Sequence, residues 1–234
     1  MSGNSPKRLA IRPIGPSTGL PGPVANPVLE WHDANTTIAT NDNWGDAANK
    51  QEVSDVGLNP GSPNESVILT TVPSSTNGVG YTAVMRGVNN TTGLGVVEVY
   101  DLDNGPDSTL LNVSTRGQVG VDPNALIAGL TLAGPQSKTI LVRAIGPSLS
   151  ASGVPGALSD PTLELRDSNA GVLDSNDDWT NSAQKTQIQN SGFAPSNSKE
   201  SAVLQTLPVG AYTALVHGTN GGTGVGLVEV YQLP

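Results

Sequence analysis

The feature that most constrains this chain is that it repeats itself. Ile11-Arg12-Pro13-Ile14-Gly15-Pro16-Ser17 returns as Val142-Arg143-Ala144-Ile145-Gly146-Pro147-Ser148, and Asn26-Pro27-Val28-Leu29-Glu30 returns as Asp160-Pro161-Thr162-Leu163-Glu164. Asn41-Asp42-Asn43-Trp44 returns as Asn176-Asp177-Asp178-Trp179, Glu65-Ser66 as Glu200-Ser201, and Tyr81-Thr82-Ala83 as Tyr212-Thr213-Ala214. Gly93 to Tyr100 matches Gly224 to Tyr231, and the spacing stays between 131 and 135 residues throughout. A period this long sets the architecture. It predicts two homologous domains, residues 1–108 and 109–234.

Within each copy the apolar segments are short, rich in Val, Ile, Leu and Thr, and bounded by Gly, Pro, Asn and Asp, which is the pattern of strands joined by turns. The runs Arg8–Arg12, Val28–His32, Ser66–Val72, Tyr81–Gly87 and Val96–Tyr100 read this way, each with an equivalent in the second copy. Only 47–57 and 181–191 suggest a short helix. With 28 Gly and 18 Pro in 234 residues, and turns every 8 to 12 residues or so, the expected class is all-β: two β-sandwich, jelly-roll-like domains in tandem.

One segment lies outside the repeat. Residues 109–133 (TLLNVSTRGQVGVDPNALIAGLTLA) precede the second copy, and nothing before Arg8 corresponds to them. They read as two strands, Leu110–Ser114 and Leu126–Leu132, whose apolar residues Leu110, Leu111, Val113, Leu126, Ile127, Leu130 and Leu132 need a sheet and a core. A single such segment faces two domains. The domain that goes without it would present an open sheet edge, which recruits strands from other chains. If an identical chain fills that edge, the contact is heterologous and propagates. The alternatives are a fragment of a longer tandem array, or a first domain that has fewer strands.

The strings LLNVSTRGQVG, LIAGLTLAG, ILVRAIGPSL, GVPGALSDPTLELRD, SNDDW and ESAVLQTLPVGAYTALVHGTNGGTGVGLVEVY together resemble a repeat module of large secreted or surface proteins of environmental bacteria. The P-x-L-x-L-x-D, N-D-x-W and G-x-Y-T sections are also similar to bacterial pre-peptidase C-terminal β-sandwich domains. The resemblance implies an accessory, noncatalytic extracellular module. It also implies that residues 109–234 form a complete unit and residues 8–100 a shortened one.

The chemistry on offer is sparse. The formal charge is −9, so the basic surface that nucleic acid requires is missing. Without cysteine, thiol catalysis, disulfides and thiolate metal sites are excluded. The longest apolar run, Ala125 to Ala133, is about half the length that crosses a bilayer, and the first residues lack the apolar stretch of a signal peptide. Gly15-Pro16-Ser17-Thr18-Gly19 matches the nucleophile-elbow pattern, but Pro21 and Pro23 follow where a helix is needed, and the second copy loses the last glycine. His32 aligns with Arg166 and His217 with Arg86, so no base holds one place in both copies. Glu30, Glu65 and Glu98 recur as Glu164, Glu200 and Glu229, which duplication alone explains.

The acidic turns are the candidate metal ligands. Asp33, Asn41, Asp42 and Asn43 in the first copy, and Asp167, Asp174, Asn176, Asp177 and Asp178 in the second, supply the hard oxygens that calcium prefers. The same residue types also cap turns through their own side chains. Trp44 and Trp179 follow these turns, placed either to stack on sugar rings or to plug the end of a sandwich. The expectation is a noncatalytic structural protein that assembles with copies of itself outside the cell, as a fibre or surface layer. The alternative is a calcium-dependent carbohydrate-binding or adhesion module with a polysaccharide partner. Neither nucleic acid nor membrane insertion is expected.

Overall fold

The computed structural model describes residues 2–103 and 108–233. The chain divides into two compact units, Met1–Leu110 and Leu111–Pro234. In chain order, unit 1 contains β1 (Ser2–Gly3), β2 (Lys7–Ile14), β3 (Pro27–His32), β4 (Thr37–Asn41), α1 (Lys50–Asp55), β5 (Ile68–Val72), β6 (Thr82–Gly87), β7 (Val96–Asp101) and β8 (Ser108–Thr109). Unit 2 contains β9 (Asn112–Val119), β10 (Leu126–Leu132), β11 (Lys138–Ile145), α2 (Pro147–Ala151), β12 (Pro161–Asp167), β13 (Val172–Asn176), α3 (Lys185–Asn190), β14 (Ser201–Leu207), β15 (Gly210–Gly218) and β16 (Gly224–Leu233).

Both units are antiparallel sandwiches. Unit 2 stacks two four-stranded sheets, ordered β14-β11-β16-β9 and β10-β15-β12-β13. Unit 1 has the same plan with three strands in each sheet, β5-β2-β7 and β4-β3-β6, plus the small pair β1-β8. The strands form because their side chains alternate. Pro27-Val-Leu-Glu-Trp-His leaves every second residue half-buried while Leu29 and Trp31 turn into the core, which is the period-2 pattern of a strand with one buried face. Between the sheets of unit 2 lie Ile140, Val142, Leu163, Leu165, Val203, Ala214, Val216 and Val228, with Leu126, Ala128, Leu130 and Leu132 packed against them. The corresponding core of unit 1 is smaller: Leu9, Ile11, Leu29, Trp31, Ile68 and Val72.

The repeat alignment carries β2 through β7 onto β11 through β16, leaving β9 and β10 without counterparts among the described residues of unit 1. They lie side by side in the chain but in different sheets, β9 on the edge of β16 and β10 on the edge of β15. The expected strand Leu110–Ser114 is displaced toward the C-terminus, because pairing with β16 carries strand geometry through the polar Arg116-Gly117-Gln118 to the buried Val119. Sheet pairing overrides local preference there. Leu110 instead packs against the unit 1 core.

Candidate functional site

Two side-chain constellations recur in both units, each built from the repeated strings, and a third is rearranged between them. The first surrounds a buried glutamate. Glu65 is fully buried and its carboxylate accepts from Gly15 N–H at 2.9 Å, Ser17 N–H at 2.9 Å, Ser17 Oγ at 2.5 Å and Ser62 N–H at 3.0 Å. Glu200 accepts from Gly146 and Ser148 N–H, the Ser148 hydroxyl and Asn197 N–H. Burial pushes the Glu65 carboxyl upward, but the donors from Ser17, Ser62 and Gly15 outweigh it and hold it below its ordinary value. The Gly-Pro-Ser string is thus a clamp for a carboxylate. The turn holding Ser17 is a single 3-10 turn, and its hydroxyl donates to Glu65, so this is not the strand-to-helix geometry of a nucleophile elbow.

The second constellation lies across β2, β7 and their counterparts. Arg12 Nε donates to Glu98 at 2.6 Å, its Nη1 to Leu58 O at 2.9 Å and its Nη2 to the Tyr100 hydroxyl at 3.0 Å. Arg143 repeats these contacts with Glu229, Phe193 O and Tyr231. The recurring Glu98 and Glu229 are therefore cross-strand ion-pair partners as well as polar residues on an outer face. Sequence reading missed the pairing, although Arg12 and Arg143 recur in the same strings.

The third constellation explains the histidines. Glu30 is flanked by His32 at 3.0 Å and Arg86 at 3.2 Å. In unit 2 the types are exchanged: Arg166 binds Glu164 at 2.6 Å, while His217 faces Asp122 at 3.2 Å. The hydrogen bond from His32 is the main cause of the lowered Glu30 carboxyl, joined by Arg86. In unit 1 one Glu thus holds a His from its own strand and an Arg from the next, whereas in unit 2 the Arg and the His have separate acidic partners.

The acidic turns are brought together only in part. In unit 2 Asp177 and Asp178 converge with Asp160, whose carboxylates all lie within 4.8 Å of one another; sequence reading missed Asp160 because it belongs to a different turn. The Lys199 ammonium already binds Asp160 at 3.0 Å, an interaction that raises the lysine above its ordinary value. Unit 1 replaces the set with Asn26, Asp42, Asn43 and Asn64. Asp33 caps its own turn, Oδ1 accepting from Asn35 and Thr36 N–H at 2.7 Å, and Asp167 does the same for Asn169 and Gly171. Asn41 and Asn176 are struts, accepting from Val67 and Ala202 N–H at 2.9 Å, and Asp174 accepts from Gln205. Trp179 packs beside Ile188 and Leu141 and donates to Asn197 O, whereas Trp44 is half-buried.

The sequence-selected assembly residues sit as follows. Leu126, Leu130 and Leu132 face the unit 2 core, while Ile127, Leu111 and Val113 are exposed. Because β9 and β10 pair within unit 2, the two corresponding edges of unit 1 have no added strand: among the described residues β7 pairs only with β2, and β6 only with β3. Val96, Val97 and Val99 are consequently exposed on β7, with Leu94 just before it.

No protein-family model and no curated protein matches the chain. Solved structures similar to it include the pre-peptidase C-terminal domain of a collagenase from Bacillus anthracis, 14% identical, covering 55% of this chain and 99% of that one with a TM-score of 0.33. Another is the infectious bursal disease virus VP2 subviral particle, 8% identical, covering 99% of this chain and 58% of that one with a TM-score of 0.21.

Among the described residues the outer edges of β6 and β7 have no strand partner and lie beside exposed valines, which is chemistry for adding a strand.

Proposed function

We propose that this is a noncatalytic structural protein that acts outside the cell as an assembling subunit of a fibre or surface layer, joined to copies of itself by strand addition or end-to-end packing. The observation that supports this reading is the edge of unit 1, where, among the described residues, β6 and β7 each lack the outer neighbour that their counterparts β15 and β16 possess. The extracellular setting rests on the resemblance of the repeated strings. If two such edges meet about a two-fold axis the assembly closes as a dimer; if the edge meets a different surface it propagates.

Sedimentation and electron microscopy of the purified chain over a wide concentration range test this. Dimers or filaments that dissociate when a charge is placed on β7 are expected. Monodisperse monomers at high concentration, with retention on a polysaccharide column, would overturn the reading in favour of a carbohydrate-binding module.

A further inference from the structure

We infer that the open edge of unit 1 is a receptor for one more strand pair of the β9–β10 kind, supplied by another polypeptide segment and bound in the register those strands keep on unit 2. This extends the assembly reading by naming the occupant, and it shares with that reading only the vacancy.

Unit 2 is the template. Gly224 to Tyr231 on β16 pair with Val119 back to Asn112, and Val216 to Gly210 on β15 pair with Leu126 to Leu132. Carried through the repeat, these places are Gly93 to Tyr100 and the strand that begins at Met85 and runs back toward Tyr81. The side chains that cover unit 2 are Val119 from β9 and Leu126, Ala128, Leu130 and Leu132 from β10. Val119 lies so close over Gly226 that a Cβ there would meet its Cγ2 at 2.8 Å. Unit 1 keeps glycine at the equivalent Gly95, where the nearest atom to such a Cβ is the Met85 Cε at 2.7 Å. An unbranched thioether is the most easily displaced of apolar side chains. The small position that admits Val119 in unit 2 is thus retained in unit 1 under a movable cover.

The burial difference follows the same outline. Gly226, Val228, Tyr212, Ala214 and Val216 are all buried, whereas Gly95, Val97, Tyr81, Ala83 and Met85 are exposed or half-buried. Strand β7, Val-Val-Glu-Val-Tyr-Asp, carries neither the lysine nor the proline that commonly protects an edge. Among the described residues β9 and β10 are already paired with β16 and β15 of unit 2, so the occupant is a further strand pair of this kind, with alternate apolar residues and a valine placed to lie over Gly95.

The test is to repeat residues 109–137 directly ahead of Lys7, in place of residues 1–6, just as they stand ahead of Lys138. Amide exchange at Val97 and Val99 should slow by tenfold or more, oxidative labelling of Met85 should fall, and the midpoint of unit 1 unfolding should rise by on the order of 10 °C. As a second measurement, a synthetic peptide of residues 111–133 bearing a photoreactive group at the Val119 position, added to the unaltered chain, should saturate and cross-link to residues around Gly95. Unchanged exchange and labelling in the extended chain, or cross-links confined to unit 2, would overturn the proposal and mean that Trp31 and Met85 have replaced the strand pair. If the unaltered chain stays monomeric while the extension protects β7, the receptor stands and self-association falls. Self-association without protection of β7 in the extended chain sinks the receptor alone.

Discussion

Val97 and Val228 hold the same place on the last strands of the two sandwiches, yet Val97 is 36% exposed and Val228 fully buried. Neither the residue type nor the strand differs. What differs is the outer layer, since β16 is flanked by β9 and covered with β10, and among the described residues β7 has no such neighbours. Val228→Asp should therefore destabilise unit 2 by about 3 kcal/mol or more, because it strands a charge in an apolar core. Val97→Asp should cost unit 1 less than about 1 kcal/mol, as surface substitutions do, while dissociating any assembly. Urea unfolding followed for each unit, with sedimentation, measures both effects.

Glu65 satisfies donors from two separate loops, so removing it orphans several buried groups at once. Glu65→Ala should lower the stability of unit 1 by about 3 kcal/mol, and Glu200→Ala should do the same to unit 2. Calorimetry of the two single variants should show a different unfolding transition shifted in each.

The clamp also carries a pH signature. The folded Glu65 carboxyl lies below its ordinary value of 4.5, so around and below that pH the unfolded chain binds more protons than the folded one, and stability rises with pH. The contribution is fully present above the unfolded value and is lost as the pH falls through the folded one. Glu65→Gln should flatten this acid limb for unit 1, read from urea midpoints across an acidic series.

Tyr231 sits between Glu229 and Arg143, its hydroxyl donating to Glu229 at 2.9 Å. Burial, reinforced by the Glu229 charge, pushes its phenol up to about 12. Ultraviolet titration should show one tyrosine ionising after the others, and Tyr231→Phe should remove that late step.

In unit 2 the Lys199 ammonium sits at Asp160, beside Asp177 and Asp178, where a cation would be held. Chelator added to the purified chain should leave the unfolding midpoint unchanged. A drop in the midpoint would reveal a bound ion, since a ligand of the folded state alone stabilises it.

Much of the fold was legible because duplication prints each strand twice: alternation in Pro27–His32 and Pro161–Asp167 marks the same element, and the excess segment 109–133 announced two strands without a second copy. Which unit they serve was not legible, since that depends on pairing β9 with β16 across more than a hundred residues. The acidic turns were visible as residue types, but that Asp33 and Asp167 accept from the backbone amides of their own turns was not. Asp160 was invisible because it approaches Asp177 only through the fold. The Gly-Pro-Ser strings drew notice as a nucleophile pattern, and their partner Glu65, some fifty residues away, supplied the structural reason for them.

Glu65 does for the first sandwich what a covalent cross-bridge does for many small extracellular folds: it ties the first strand's exit to the entry of a strand distant in sequence, closing a long loop. In a chain without cysteine, this fastening is made of hydrogen bonds to a carboxylate. Reductants cannot open it, and it needs no oxidising compartment to form. Acid, which protonates the carboxylate, is the agent that loosens it.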